Sequence, residues 1–140
     1  MRPKVPYRTP LVLLFQIAGA GLLLGMAGIH FYLWLDAGYR TITSPPIGLL
    51  FLLNTIGGVV LAVALFVAPR RLFPLAALLA LLFDAGTLAA LMISLNGNGL
   101  FGFKESTLAP LVTQTIWVEG AGVVVLLVLS VLAIQGRSRN

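Results

Sequence analysis

Four long runs of predominantly apolar residues divide the chain, and the chain ends together with the short stretches between the runs hold most of its charged positions. The runs cover about residues 10–35, 47–68, 72–95 and 108–134. Each run is at or above the roughly 20 residues that an α-helix needs to cross the hydrocarbon core of a membrane. The pattern therefore predicts four transmembrane helices within a single domain.

Proline positions agree with these boundaries. Pro10, Pro46, Pro74 and Pro110 lie at the predicted helix starts, where the missing proline N–H costs no intrahelical hydrogen bond. The turn between the second and third runs is short, so we expect these two helices to be antiparallel neighbours packed along their length. The sequence thus predicts an all-α integral membrane protein, an antiparallel up-down four-helix transmembrane bundle.

The composition supports a membrane environment. Of the residues, 59% are hydrophobic and only 9% are charged, and the mean hydropathy is +1.05. A typical soluble domain has roughly 25% charged residues. The net charge of +5 comes from basic residues scattered over chain ends and loops, which predicts no nucleic-acid partner. The chain has no cysteine, which excludes disulfides and thiolate metal sites.

Basic residues are distributed unevenly over the two ends of the predicted bundle. Only Arg40 and Lys104 lie on one side, and the others lie on the side of the chain termini and the second turn: Arg2, Lys4, Arg8, Arg70, Arg71, Arg137 and Arg139. By the positive-inside rule, both termini are predicted to be cytoplasmic. The abundance of Ala, Gly, Leu and Arg suggests a bacterial source, and hence the plasma (inner) membrane as the location.

Strongly polar residues inside the apolar runs give the main functional signal. Asp84 and Glu119, two of only four acidic residues, fall near the centres of the third and fourth runs. With a helical rise of 1.5 Å per residue, Asn54 lies about 5 Å and His30 about 10 Å from the centres of their own runs. Ionisable side chains are costly inside a membrane and mark functional sites there. We predict a proton, cation or ligand site formed by these four residues.

The surroundings of the two acids sharpen this prediction. Helical spacing puts Thr87 on the stripe of Asp84 and Thr115 on the stripe of Glu119. Four polar residues are predicted to support the site: Thr87, Thr115, Gln114 and Gln16. No lysine or arginine occurs inside a run, so each acid must be neutral, solvated, or share a proton with the other if the two approach. The alternative is that all these groups form hydrogen bonds between helices, worth roughly 0.6–2 kcal/mol each.

Small residues form a second organised pattern. Gly21 and Gly25 make a GxxxG motif in the first run, and Gly57 and Gly122 lie in the second and fourth runs. Glycines of this kind allow two helix backbones to approach closely. We predict close helix contacts at these positions, either within the bundle or between subunits.

Three functions remain open at this stage. In the first, the polar site binds or conducts a proton, cation or small polar solute, in an oligomer because four short helices rarely enclose a pathway alone. In the second, the chain is an accessory or structural subunit of a larger membrane complex. In the third, it binds a lipid or quinone, with His30 and Glu119 as polar anchors and Trp117 and Phe51 as the apolar wall.

Enzyme motifs are missing from the chain. It contains no phosphate-binding glycine loop, no HExxH sequence and no nucleophile elbow. The sequence therefore identifies no catalytic residue, predicts no cofactor and assigns no metal. The predicted partners are the lipid bilayer and either further copies of the chain or other membrane subunits.

Overall fold

The computed structural model describes residues 9–138, with residues 137 and 138 described by their backbone alone. Within this range the chain forms four long helices: α1 (Pro10–Leu35), α2 (Ile47–Val67), α3 (Phe73–Leu95) and α4 (Val112–Ser138). A single 3-10 turn, Tyr39–Thr41, lies in the connection between α1 and α2. Each of the four helices contains a span long and apolar enough to cross a membrane.

The helices form an antiparallel up-down bundle, so the predicted fold class is confirmed. α1 packs against α2 and α4, and α3 packs against α4. We name the two ends of the bundle by their connections. The loop end carries residues 36–46 and 96–111, and the terminal end carries residues 68–72 and both ends of the chain.

The contact between α2 and α3 is the least extensive of the four neighbouring helix pairs. The short turn does make these helices neighbours, as predicted. They do not pack along their whole length, however, because a cavity lies between their loop-end halves. The expectation of continuous packing between α2 and α3 is therefore wrong for the half of the bundle nearest the loops.

The start of α1 follows from its sequence. Thr9 is the N-cap, and its Oγ1 accepts a hydrogen bond of 3.3 Å from the backbone N–H of Val12. Pro10 occupies the first turn, where its missing N–H leaves no helical bond unmade. Pro74 occupies the equivalent place in α3.

The fourth helix begins at Val112 and not at residue 108 as predicted. Ser106 sets up a turn in front of it, since its hydroxyl accepts from the N–H of Leu108 at 3.1 Å and its carbonyl accepts from Ala109 at 2.9 Å. Pro110 also disfavours a helical conformation at the residue before it. The apolar run therefore starts in a turn, and the helix follows.

The main core lies between the middle of the bundle and the terminal end. Its fully buried large side chains include Leu23 and Met26 of α1, Leu65 of α2, and Leu126 and Leu129 of α4. Small residues of α3 complete this core and let the helices approach closely: Ala77 and Ala80. A separate cluster at the loop end contains Leu33, Tyr39 and Ile47.

The four glycines singled out for helix packing differ in their surroundings. A Cβ added at Gly57 would lie 2.6 Å from the ring of Phe83, so this glycine admits the phenyl group of α3 against α2. An added Cβ at Gly122 would overlap the carboxyl group of Asp84. At Gly25 it would meet Val118 at an ordinary 3.7 Å, and at Gly21 it would meet no atom within 4 Å.

Several basic residues on which the predicted membrane orientation depends lie outside the part of the chain that the structure describes. Arg2, Lys4, Arg8 and Arg139 fall there, and only the backbone of Arg137 is described. The cytoplasmic placement of the two termini stays a prediction.

Candidate functional site

All four helices contribute a polar side chain near the middle of the bundle. The carboxyl-bearing residues Asp84 of α3 and Glu119 of α4 are 1% and 0% exposed, and His30 of α1 is 6% exposed. Asn54 of α2 is only partly buried and faces the cavity between α2 and α3. The structure thus brings the four predicted site residues into one region, with the two acids at its most buried point.

His30 and Glu119 face each other across the interface of α1 and α4. The distance from His30 Nε2 to Glu119 Oε1 is 3.9 Å. The other ring nitrogen, Nδ1, lies 3.0 Å from the carbonyl oxygen of Met26. A carbonyl oxygen only accepts hydrogen bonds, so Nδ1 must carry a hydrogen. In a neutral ring, Nε2 therefore presents a lone pair to Glu119.

Asp84 approaches the same carboxyl group from α3. Its Oδ2 occupies the space that a side chain at position 122 would fill, so the glycine there lets the carboxyl group reach the surface of α4. Gly122 and Glu119 are three residues apart and lie on one helix face. Asp84 and Glu119 are close enough for their charges to interact. The two acids are brought together, as the first hypothesis requires.

Three oxygen atoms of this pair accept no hydrogen bond from the described residues. They are Asp84 Oδ2 and both Glu119 oxygens, and all three are buried. Buried polar atoms are nearly always hydrogen-bonded, because an unpaired one keeps the full cost of its desolvation. These oxygens therefore require a proton, a cation or water.

The supporting threonines lie one helical turn from the acids, on the side of the loop end. Thr87 Oγ1 donates to the carbonyl of Asp84 at 2.8 Å, and its hydroxyl also lies beside Glu119. Thr115 Oγ1 donates to the carbonyl of Leu111 at 2.8 Å. Each hydroxyl donates to a carbonyl of its own helix in this arrangement, which leaves its lone pairs for another group.

A cavity of about 330 Å³ occupies the loop-end half of the bundle, between α2 and α3. Its walls are mostly apolar and include Phe51, Phe83 and Phe103. The polar residues that line it are His30, Asn54, Thr87, Ser94, Glu105 and Thr115. Asp84 and Glu119 lie just beyond its inner end, one turn past the two threonines.

Two predicted supporting residues lie away from this site. Gln16 is fully buried, and its Nε2 donates to the carbonyl of Leu65 at 2.7 Å. It is on the same helix as His30 but about 21 Å closer to the terminal end by helical rise, so it joins α1 to α2 there. Gln114 is exposed on the outside of the bundle. It is five residues from Glu119, a spacing that turns it to another helix face, whereas Thr115 at four residues stays on the site face.

The two residues suggested as an apolar wall have different positions. Phe51 lines the cavity, and its ring centroid lies 5.0 Å from that of His30. Trp117 is 74% exposed and does not line the cavity.

One contact at the loop end was not foreseen from the sequence. The Tyr39 hydroxyl donates to Glu105 Oε2 at 2.6 Å and so joins the two long connections. Tyr39 also stacks on Phe51 at a centroid distance of 4.5 Å. Burial, and then the bond to Glu105 and its charge, raise the pKa of the Tyr39 hydroxyl well above its usual range. The only sequence signal was an acid and an aromatic residue in separate loops, which does not specify a pair.

No group of three or more His, Asp or Glu side chains in the described part of the chain is arranged to hold a metal ion. Comparisons with protein families, with curated proteins and with solved structures found no match. The functional argument therefore depends on the geometry of this site.

Proposed function

We propose that this protein binds an exchangeable proton inside the membrane, on a site formed by His30, Asp84 and Glu119. The observation that carries the proposal is the position of Glu119. Both of its carboxyl oxygens are fully buried and accept no hydrogen bond from any residue that the structure describes, and one of them faces His30 Nε2 at 3.9 Å. A purely structural hydrogen bond between helices would leave no such oxygens unpaired.

A proton is required by the arrangement of His30 and Glu119. If the ring were neutral and the carboxyl group ionised, a nitrogen lone pair would face a negative oxygen in a site of low polarity. One proton removes this repulsion, either on Glu119 as a carboxylic acid or on His30 Nε2 as an imidazolium. Asp84 adds a third place for a proton beside them. The three groups therefore titrate as one coupled unit.

The cavity supplies the route by which this proton exchanges. His30 lines the cavity and also faces Glu119, so its ring is the link between the cavity and the buried acids. Exchange through this route would make the protein a carrier of protons, or of a cation that competes with them. We propose a bacterial plasma membrane as its location, from the abundance of Ala, Gly, Leu and Arg, and we propose that the loop end faces outside, from the distribution of basic residues.

Infrared spectroscopy of the protein in lipid bilayers tests the proton site directly. We expect the C=O band of carboxyl groups shielded from water to change with pH, and Glu119→Gln and Asp84→Asn each to remove part of that change. Both substitutions keep the size of the side chain. Asp36→Asn, which removes an exposed acid at the end of α1, is the matched control and should leave the shielded band unchanged. A wild-type band that does not respond to pH would refute the proposal.

A second candidate, a subunit that assembles in the membrane, is favoured by one observation. Gly21, Gly25 and Gly28 lie along the exposed side of α1. A Cβ added at Gly21 or Gly28 would meet no atom within 4 Å. A bare glycine stripe is a surface on which another membrane helix can pack closely. We propose that further copies of this chain associate through this stripe.

A further inference from the structure

The cavity between α2 and α3 has polar groups at defined places but few free hydrogen-bond donors. Thr87, Thr115 and Ser94 all line it, and each donates its hydroxyl hydrogen to a carbonyl of its own helix. Glu105 offers only acceptor oxygens when it is ionised. Among the described lining residues, the Asn54 amide is the remaining side-chain donor that is available without an added proton. Acceptor lone pairs therefore outnumber donors, and a ligand that supplies N–H or O–H groups complements this lining.

The charged groups around the cavity favour one kind among the ligands that supply N–H or O–H groups. Glu105 lines the cavity near the loop end, and Asp84 and Glu119 lie just beyond its inner end with three unpartnered oxygens. No lysine or arginine of the described part of the chain lines the cavity. His30 is the one basic group there, and it is neutral whenever the shared proton is on Glu119 or absent. The site therefore favours a cation that can donate several hydrogen bonds.

The remaining walls define the rest of the ligand. Phe51, Phe83 and Phe103 provide aromatic surface, which suits an apolar body and attracts a cation at its face. Leu82 and Gly86 also line the cavity, yet both are exposed on the outside of the bundle. The opening between α2 and α3 thus faces the membrane, and a molecule dissolved in lipid can enter from the side.

We infer that the cavity binds a membrane-soluble organic amine, with its apolar body between α2 and α3 and its ammonium group at the inner end. The ammonium group donates to the lone pairs of Thr87 and Thr115 and pairs with the buried acids. This inference rests on the proposed function, because the amine takes the place of the exchangeable proton. One cation enters as one proton leaves, so the charge of the site stays constant and amine binding strengthens as pH rises.

Adamantylamine and adamantanol are suitable probes, because they share one compact apolar cage and differ in their ammonium and hydroxyl groups. We would titrate each into the purified full-length protein in lipid nanodiscs and measure the dissociation constant by calorimetry. We expect the amine to bind at least about tenfold more tightly than the alcohol, as one charge-assisted hydrogen bond provides. We also expect about one proton to be released per amine bound.

Variants of the cavity test where the amine binds. Gly86→Leu places a side chain at the cavity opening, where an added Cβ meets no atom within 4 Å, and should abolish binding. Thr115→Val keeps the side-chain size, removes one acceptor oxygen, and should weaken amine binding about tenfold with little effect on the alcohol. Gly120→Leu is the matched control, because position 120 is equally open and does not line the cavity.

The outcomes separate this inference from the proposed function. Amine binding that is lost in Gly86→Leu and kept in Gly120→Leu supports the inference. Equal affinities for adamantylamine and adamantanol would overturn it in favour of a neutral lipid-like ligand. If neither probe binds and the infrared response of the wild type is intact, the inference is overturned and the proposed proton site is unaffected. A wild type without that infrared response would refute the proposed function itself.

Discussion

Gly122 decides how closely Asp84 can approach Glu119. A single methyl group at position 122 would overlap Asp84 Oδ2, which has no hydrogen-bond partner among the described residues. Alanine there would force the carboxyl group of α3 away from α4 or push the two helices apart. The glycine is therefore part of the site, although it has no side chain of its own.

We predict that Gly122→Ala lowers the free energy of unfolding by about 1–3 kcal/mol, the usual cost of overpacking a buried position. Gly120→Ala should change it little, because an added Cβ there meets no atom within 4 Å. Unfolding titrations in mixed micelles measure both. In a protein that already carries Asp84→Ala, Gly122→Ala should lower the free energy of unfolding by less than it does in the wild type. The carboxyl group that would overlap the new methyl group is then gone. Fully additive effects of the two substitutions would contradict this account of the contact.

The residues of the site were predictable to different degrees. Asp84 and Glu119 could be recognised because a carboxyl group in an apolar run has few structural reasons to be there. Their contact could not be predicted, since it depends on how α3 and α4 are rotated about their axes. Gln114 shows the same limit, because a difference of one position separates the exposed face from the site face.

At the scale of helices and loops, Tyr39 and Glu105 join two connections that are far apart in the sequence. The same tyrosine stacks on Phe51 of α2, which contacts His30. The loop end is thereby tied to the helices that hold the site. Neither partner could be paired from sequence, because the folds of both connections have to be known first.

This tie predicts a pH dependence of its own. The raised pKa of Tyr39 means that the folded protein holds the phenolic proton more tightly than the unfolded chain, in which tyrosine titrates near pH 10. The stability it provides is therefore complete below about pH 10 and decreases as the pH rises toward the folded pKa. We expect the stability advantage of the wild type over Tyr39→Phe to be constant up to about pH 10 and to fall above it.

The measurement is an unfolding titration of both proteins across this pH range, with the ultraviolet absorbance of phenolate followed in parallel. The difference between the wild-type and Tyr39→Phe spectra reports Tyr39 alone, and it should show the phenolate of Tyr39 only above about pH 10. Ionisation of Tyr39 at the ordinary tyrosine value would show that Tyr39 is neither buried nor bonded to Glu105 in solution.

The helices themselves were predictable from the lengths of the apolar runs and from prolines near their starts. The start of α4 could not be predicted in this way, because several residues before Val112 are apolar like the helix but form a turn set by Ser106. Apolar character reports which segments lie in lipid or in the core. It does not report whether the first few residues of such a segment are helical.

At the scale of the whole molecule, the exposed glycine stripe of α1 is the surface that we propose for association between copies. We predict that the wild type forms oligomers in lipid nanodiscs and that Gly21→Leu shifts it toward monomers, because leucine would hold the partner helix away. Light scattering after size separation, or energy transfer between labelled copies, measures this shift. Gly120→Leu on α4 is the control and should keep the oligomer. A wild type that is monomeric at every protein-to-lipid ratio would exclude association through this stripe.

The described part of the bundle has a tight core in one half and a cavity in the other. Leu65, Leu126 and Leu129 close the half nearest the chain ends without any remaining exposure. In the proposed function, a ligand that enters between α2 and α3 stops at Asp84 and Glu119, because the packed half lies behind them. If the protein works as proposed, a single copy in this conformation binds and releases its ligand from the loop end, and passage to the terminal end requires the leucine-packed half to open.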